Sequence, residues 1–336
     1  MKTIIQSWQI QRQQQTKVNR RKRQFTLYSL SVYGWALVRG IIVLGICFII
    51  LYPTLLKIFV SVMSESDLYD VTVKYIPKSP TFENIKKVWT AMKYPSTLWN
   101  TLKLSILTSV MQLISCTIIG YGFGRFNFKG KNILFALVIL TMIVPPQTIM
   151  IPLFLHFRYF DLFGLISKIT GSKGINLLNS EWPFLLMSAT GMGLKNGLYI
   201  YIMRQFFRNM PKELEEAAYV DGASMFRTFY QIMLPSAVPA MVTVFLFSFV
   251  WQWTDTFYSN LFLQNVKVLS TALSSISFDI TQQIYWETGV EVSLSPAVSS
   301  MYTNTASLLV IIPLILLYIV AQKYFVESIE RTGIVG

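Results

Sequence analysis

PKELEEAAYVDGASMFRTFYQIMLP, residues 211–235, is a polar, helix-forming stretch set between two long apolar runs. Pro211 can start a helix, and Glu213, Glu215 and Glu216 fill its opening turns, where acids favour the positive end of the helix dipole. Asp221 and Gly222 then break it, because glycine tolerates φ > 0 at a turn. A second segment runs from Ala223 to Leu234 and Pro235, where the chain must leave the helix. On periodicity alone this is a solvated helical hairpin, and the sequence on either side decides what carries it.

Working outward, the surroundings are those of a membrane protein. The 336 residues are 53% hydrophobic and only 13% charged, with a mean hydropathy of +0.48, whereas soluble domains use about 25% charged residues. A bilayer core of about 30 Å needs roughly 20 mainly apolar residues in a helix, the conformation that satisfies its own backbone without water. Six stretches qualify: 41–63, 102–123, 133–155, 182–203, 238–263 and 301–321. Pro53 lies in the first and Pro145 and Pro146 in the third; such kinks are tolerated where neighbouring helices shield the freed carbonyl.

Basic residues in short loops stay on the cytoplasmic side. Lys2, Arg12, Lys17, Arg20, Arg21, Lys22, Arg23 and Arg39 precede the first run, and no acid occurs before Glu65. Arg125, Lys129 and Lys131 follow the second run, Arg204, Arg208 and Lys212 the fourth, and Lys323 and Arg331 the last. Both termini are therefore expected in the cytoplasm. The expected order is a basic arm (1–40), a first transmembrane helix (41–63), an extracellular segment (64–99), a five-helix core (100–325) containing the loop 206–235, and a cytoplasmic tail (326–336). The mostly polar N-terminus lacks the pattern of a cleaved signal, so the arm is expected to remain and to lie on anionic lipid through Arg20–Arg23.

The formal charge of +13 does not indicate nucleic acid, because the cations sit in short tracts beside apolar runs rather than on a basic face. Cys47 and Cys116 lie inside apolar runs, and His156 has no companion ligand, so neither a disulfide framework nor a metal set is indicated. Gly124 to Lys131 is not a phosphate loop: five residues separate Gly124 from Gly130, and Asn132 replaces the required Ser or Thr. Gly191, Gly193 and Gly197 lack the strand-turn-helix setting of a dinucleotide fingerprint and are expected to pack helices.

The spelling of the hairpin goes further. Glu216, Ala217, Ala218, Asp221, Gly222, Ala223 and, after eight residues, Ile232, Met233, Leu234, Pro235 closely resemble the EAA signature of ABC-importer permeases. The run from Tyr121 to Lys131, with Met142, Pro145, Pro146 and Pro152, is similar to the carbohydrate branch of that family. So are Arg204, Gln205, Phe206 and Phe207 leading into Pro211, Glu213 and Leu214, and the run Trp251 to Asp255 is a weaker echo. The resemblance covers residue 100 to the C-terminus. It implies an all-α integral membrane fold of six transmembrane helices with a cytoplasmic coupling helix pair docked on an ATPase, Glu216 as the ionic contact and Gly222 as the hinge. It further implies a bacterial cell-membrane location, a second homologous permease, two ATPase subunits that bind the ATP and Mg, an extracellular sugar-binding protein, and a sugar or oligosaccharide as cargo. This chain would then hold no cofactor and catalyse nothing.

Two rival classes share the hydropathy. An ion-coupled secondary transporter of a polar solute needs ionisable groups at depth, and Asp255 is the single carboxylate expected there. A membrane enzyme needs paired carboxylates, a histidine cluster or an activated nucleophile, and the sequence offers none. Candidates for the sugar-facing surface are Lys195, Asn196 and Tyr199 in the fourth run and Trp251, Trp253 and Asp255 in the fifth, which mix aromatic faces with amide and charged groups. The alternative is that Lys195 and Asp255 pair with each other or with the partner permease to fix helix positions, while Trp251 and Trp253 simply pack. The segment 264–300 is long for a connection; it either folds beneath the binding protein with Tyr285 and Trp286 as apolar contacts or packs on its own permease.

The basic-loop asymmetry generates a direct test. In a background lacking Cys47 and Cys116, a Lys212→Cys variant in sealed cells is expected to escape an impermeant thiol reagent. Labelling from outside would overturn the orientation.

Overall fold

A computed structural model describes the backbone of residues 2–333 and the side chains of residues 32–322 apart from Thr170. The expectations placed on Arg20–Arg23 and on the tail 326–336 concern side chains outside that description. The chain divides into two compact units, residues 1–59 and 60–336. The first is the bulk of α1, Lys2–Ser61, a single helix that continues through Pro53. Its segment Val32–Ser61 is long and apolar enough to cross a bilayer, and side chains such as Leu44, Ile49 and Ile50 are exposed, as a lipid-facing helix requires.

The second unit is helical throughout, with no strand among the described residues beyond an isolated bridge between Phe160 and Ile175. After α1 come α2 (Glu65–Tyr69) and α3 (Glu83–Ala91). Asn84 of α3 donates to the carbonyls of Ser61 and Met63 at 3.2 and 2.7 Å. In the exposed turn that follows α2, Lys78 and the Thr72 hydroxyl hold the Asp70 carboxyl well below the usual carboxylate range.

The central element is α4, Tyr94–Arg125. Apolar side chains such as Ile106, Ile114 and Ile118 are exposed on one side. The buried side is polar: Thr97, Thr101, Ser105, Thr108, Gln112 and Ser115 recur at helical spacing. These groups bond mainly to backbone carbonyls, as Thr108 does to Leu104 at 2.6 Å and Ser115 to Ser188 at 2.6 Å. Small polar residues let helices approach closely and supply the hydrogen bonds that hydrocarbon cannot.

The third expected span is not straight. It is α5 (Lys131–Ile143), a 3₁₀ turn at Pro146–Ile149 and α6 (Met150–Arg158), bent by 97° where Pro145 and Pro146 stop the first helix. Next is α7, Leu165–Thr170. The fourth expected span is broken as well: α8 (Trp182–Ala189) ends before α9 (Asn196–Asn209), and Lys195 sits between them in the left-handed region at φ 61°. The hairpin follows as α10 (Glu213–Val220), α11 (Met225–Thr228), a π turn at Phe229–Met233 and α12 (Leu234–Ser236). A bend of 71° leads into α13, Val238–Thr254.

The fifth expected span therefore stops at Thr254, and α14 (Phe257–Phe262) is separate. The segment expected as an outer loop contains α15 (Leu269–Ser274) and α16 (Ile276–Thr288) before α17, Pro296–Gly333. Among the described residues three helices suffice to cross a membrane, or five if each bent pair counts as one span. Helix length and composition thus give three to five spans where the hydropathy of the sequence gives six, because a hydropathy window runs across the breaks at 190–195 and 255–256 where the helix stops.

Three apolar clusters hold the unit together. One joins Val88 and Met92 to Trp253, Leu269, Ile276 and Met301. Another joins Cys116 and Tyr121 to Tyr199, Met203, Phe207 and Met233. The third is built on Phe157, Phe184, Tyr258 and Phe262. The segments 64–99 and 264–300 are thus structural, because Val88, Leu269, Ala272 and Ile276 are core residues.

The tightest approach is between α4 and α9. A Cβ added at Gly120 would lie 2.5 Å from the Met203 Cβ and 3.0 Å from the Arg204 nitrogen. Neither atom is the far end of a flexible side chain, so the helices would have to separate. Gly120→Ala is expected to destabilise the protein by about 1–3 kcal/mol. Gly45→Ala, where nothing lies within 4 Å, is expected to be tolerated. Thermal unfolding in detergent checks both, and equal melting temperatures would refute the close packing.

Candidate functional site

The hairpin has a buried root and an exposed tip. At the root, Arg125, the last residue of α4, meets Glu215 at 3.1 Å between Nε and Oε2, with the two side chains only 6% and 14% exposed. The same guanidinium donates to the carbonyls of Met210 and Pro211, each at 3.1 Å. The Tyr121 hydroxyl donates to the other Glu215 oxygen at 3.1 Å. Its ring packs against Phe207 and Phe229, with centroids 5.2 and 4.6 Å apart. One arginine therefore closes the chain entering α10 onto the end of α4. Geometry of this kind depends on the planar fork that lysine lacks.

The turn is made as the sequence dictates. Asp221 ends α10 and Gly222 takes φ 79°. The Ala223 N–H reaches the Ala218 carbonyl at 2.9 Å, and Ser224 caps α11 by accepting from the Arg227 N–H at 3.3 Å. Ala218 is the buried residue of α10, whereas Glu213, Glu216, Ala217 and Asp221 face outward; Ala223 and Leu234 are half-buried and Pro235 is exposed.

Beyond the turn lies an apolar tip. Val220 is 87% exposed, Phe226 78% and Tyr230 64%, with Tyr219 and Met225 beside them. A group of large apolar side chains left exposed, with Glu213, Glu216 and Asp221 exposed on the same hairpin, is the composition of a docking surface.

Sequence reasoning missed Glu215, Arg125 and Tyr121. Glu215 stands three residues before Ala218, the small residue that packs inward, so helical spacing alone separates it from Glu213 and Glu216.

The six sugar-facing candidates are divided between two settings. Lys195, Asn196 and Trp251 line a cavity of about 500 Å³ with Met142, Pro145 and Tyr258. The Lys195 ammonium lies over the Trp251 ring, 4.7 Å from its centroid. Tyr199, Trp253 and Asp255 are buried and absent from that lining. Trp253 packs on Phe249 and donates to the Val310 carbonyl at 3.2 Å. Asp255 accepts from the Ser259 N–H and hydroxyl at 2.8 and 3.0 Å, turning the chain from α13 into α14. The considered pairing of Lys195 with Asp255 does not form.

A polar junction ties α4 and α13 to the break between α8 and α9. Gln112 donates to the Leu194 carbonyl at 3.0 Å and accepts from the Ser248 hydroxyl, which also reaches Ser109 at 3.1 Å. Gly193 leaves no room there for a side chain, since a Cβ would lie 2.8 Å from the Gln112 amide nitrogen. Tyr285 and Trp286, the candidate partner contacts, stand exposed near the end of α16.

Residues 117–331 match the family of binding-protein-dependent transport system inner membrane components, and the chain belongs to that family. The resemblance carried by Glu216 to Pro235 is thereby borne out. Over 293 residues the chain is 28% identical to the galactooligosaccharides transport system permease protein of Bacillus subtilis, covering 86% of this chain and 91% of that protein. Over 315 residues it is 25% identical to the arabinooligosaccharides transport system permease protein of the same organism, covering 91% and 97%. A probable ABC transporter permease protein of Pyrococcus horikoshii is 28% identical over 232 residues, covering 69% and 72%. The fold matches that in the crystal structure of a bacterial ABC transporter involved in the import of the acidic polysaccharide alginate, with a TM-score of 0.63 at 21% identity over 87% of this chain and 96% of that one.

The root of the hairpin generates a stability prediction. Glu215→Gln leaves the Arg125 charge buried without its counterion, and losing one member of such a pair costs about 3–5 kcal/mol. The double variant Glu215→Gln with Arg125→Met is expected to recover part of that loss. Denaturation of the four proteins of this cycle checks the coupling, and additive effects would refute it.

Proposed function

We propose that this chain is the permease subunit of an ATP-driven, binding-protein-dependent importer of a sugar or oligosaccharide, and that the hairpin 206–235 is its coupling element. The carrying observation is the hairpin itself: an exposed apolar tip at Val220 and Phe226 on a root clamped to α4 by Arg125 and Glu215. A surface of that kind fits a cleft on a cytoplasmic ATPase. Family membership and the names of the oligosaccharide permeases among its relatives support the rest.

In this reading the chain spans the membrane six times with both termini in the cytoplasm, pairs with a second homologous permease over two ATPase subunits, and receives cargo from an extracellular binding protein. Closure of the ATPase dimer moves the hairpin tips. The clamp passes that displacement to α4 and, through the close α4–α9 crossing, to the helices around the cavity. ATP and Mg bind the ATPase. An ion-coupled mechanism has less support, since the buried carboxylate of Asp255 is occupied by Ser259 and does not line the cavity.

Gly222→Pro removes a φ of 79° that proline cannot adopt. Glu216→Lys reverses a charge at the rim of the tip. Both are expected to insert and bind the partner permease, but to lower sugar uptake at least about tenfold relative to ATP hydrolysis, equivalent to about 1.4 kcal/mol of coupling. Normal uptake by both variants would sink the coupling assignment.

A further inference from the structure

Residues 160–175 form an excursion whose level in the membrane is set by α4. Leu104 lies 21 residues before Arg125 in that helix, a rise of about 31 Å and so about one bilayer core. Arg125 holds the hairpin root, and Leu104 therefore marks the opposite boundary. Leu104 packs in one cluster with Phe157 and Leu178, and between those two the chain leaves and returns. The Leu177 N–H reaches the Phe157 carbonyl at 2.9 Å, and Phe160 and Ile175 exchange two backbone hydrogen bonds at 3.0 and 2.9 Å. The excursion starts and ends where hydrocarbon gives way to headgroups.

Its side chains are of two kinds. Phe163 is 96% exposed and Ile169 83%, with Leu162 and Leu165 exposed beside them. Phe163 also takes φ 53°, a left-handed conformation unfavourable for a bulky residue, and at that exposure no packing within the subunit offsets the strain. The charged residues between Phe157 and Leu178 are Arg158, Lys168, Lys173 and a single acid, Asp161. Asp161 is committed to the chain itself, accepting from the Ile166 and Ser167 N–H groups at 2.9 and 3.3 Å. Among the described residues none of the three cations makes an ion pair, and Lys168 and Lys173 are exposed.

We propose that this excursion is an interfacial anchor: Phe163, Ile169 and their apolar neighbours enter the acyl boundary of the leaflet opposite the hairpin, and Lys168 and Lys173 meet the phosphates of anionic phospholipids. Exposed apolar side chains accompanied by unpaired cations, at the level where the bilayer ends, have the composition of a segment lying in the membrane surface. The anchor fixes to the bilayer the part of the chain that follows the corner at Pro145 and Pro146. In the importer reading that leaflet is the outer one, where the binding protein is the competing occupant of the same apolar group.

The test uses the assembled transporter, with its partner permease and ATPase, in vesicles of phosphatidylcholine and phosphatidylglycerol. In a background lacking Cys47 and Cys116, Phe163→Cys carries a bimane fluorophore, and Glu291→Cys, on the segment 264–300, serves as the reference in water. Lipids brominated on their acyl chains are expected to quench the label at 163 at least about twofold, and acrylamide, a neutral quencher in water, to reach it less than about a third as well as the label at 291. With bromine on one lipid at a time, phosphatidylglycerol should quench about twofold more than phosphatidylcholine, and Lys168→Gln with Lys173→Gln should abolish that preference. No quenching by brominated lipid overturns the anchor, whether acrylamide reaches the label or protein covers it. Protection from acrylamide that appears only when the binding protein is added assigns the surface to that protein and overturns the anchor too. Equal quenching by the two lipids overturns the role given to the lysines. Each of these failures leaves the importer reading standing, since transport is not what is measured. Should Phe163→Cys fail to assemble, Ile169→Cys carries the same measurement.

Discussion

Hydrocarbon accepts no hydrogen bonds, so a polar group carried into it must find its partner inside the protein. In this chain that constraint falls on α4, whose buried face is a column of hydroxyls ending in Gln112. Each group is used. Thr101 accepts from the Leu269 N–H at 2.8 Å and so fixes the start of α15. Ser115 and Gln112 accommodate the freed carbonyls of Ser188 and Leu194, where α8 gives way to α9. The broken fourth span is possible because α4 presents donors where the helix stops. The cavity exists because that span is broken.

The helix–turn–helix course of the hairpin was legible in the sequence. Proline, glycine and clustered acids act locally, so Pro211, Gly222 and the residues between them specify a helix, a turn and a second helix whatever surrounds them. The first, second and last apolar runs were equally readable, being long and uninterrupted. The other three were not, for a physical reason: hydropathy reports the solvent of a segment, not its conformation. Residues 190–195 do carry a local signal, Gly191 at φ 76° and Gly193, but the Leu194 carbonyl freed there is satisfied by Gln112, which is remote in sequence. The site was divided in the same manner. Lys195, Asn196 and Trp251 reach the cavity, whereas Trp253 and Asp255, two and four residues beyond Trp251, turn into the core. Trp251 and Trp253 lie on opposite faces of α13, about 200° apart, so position on the helix separates the two fates and residue type does not.

Glu215 illustrates the complementary failure. Three glutamates within four positions read as one acidic patch, yet Glu213 and Glu216 face water while Glu215 is held by Arg125 and Tyr121. The residue given an ionic role from its place in the signature is the exposed one. The residue whose charge is committed in this subunit is its neighbour, and its partner, Arg125, lies 90 positions earlier in the chain, beyond the reach of local patterning.

The corner at Val144, Pro145 and Pro146 has a different implication. The chain turns through 97° there, and Val144 and Pro145 are exposed. Two of its three residues have no N–H to leave unpaired, the Val144 N–H reaches the Leu140 carbonyl at 3.1 Å, and the Pro145 carbonyl accepts from the Thr148 N–H and hydroxyl at 3.1 and 2.7 Å. A near-right-angle turn at membrane depth is thus built from the residue type that loses least by leaving a helix, and it gives the cavity a wall that no straight span could supply.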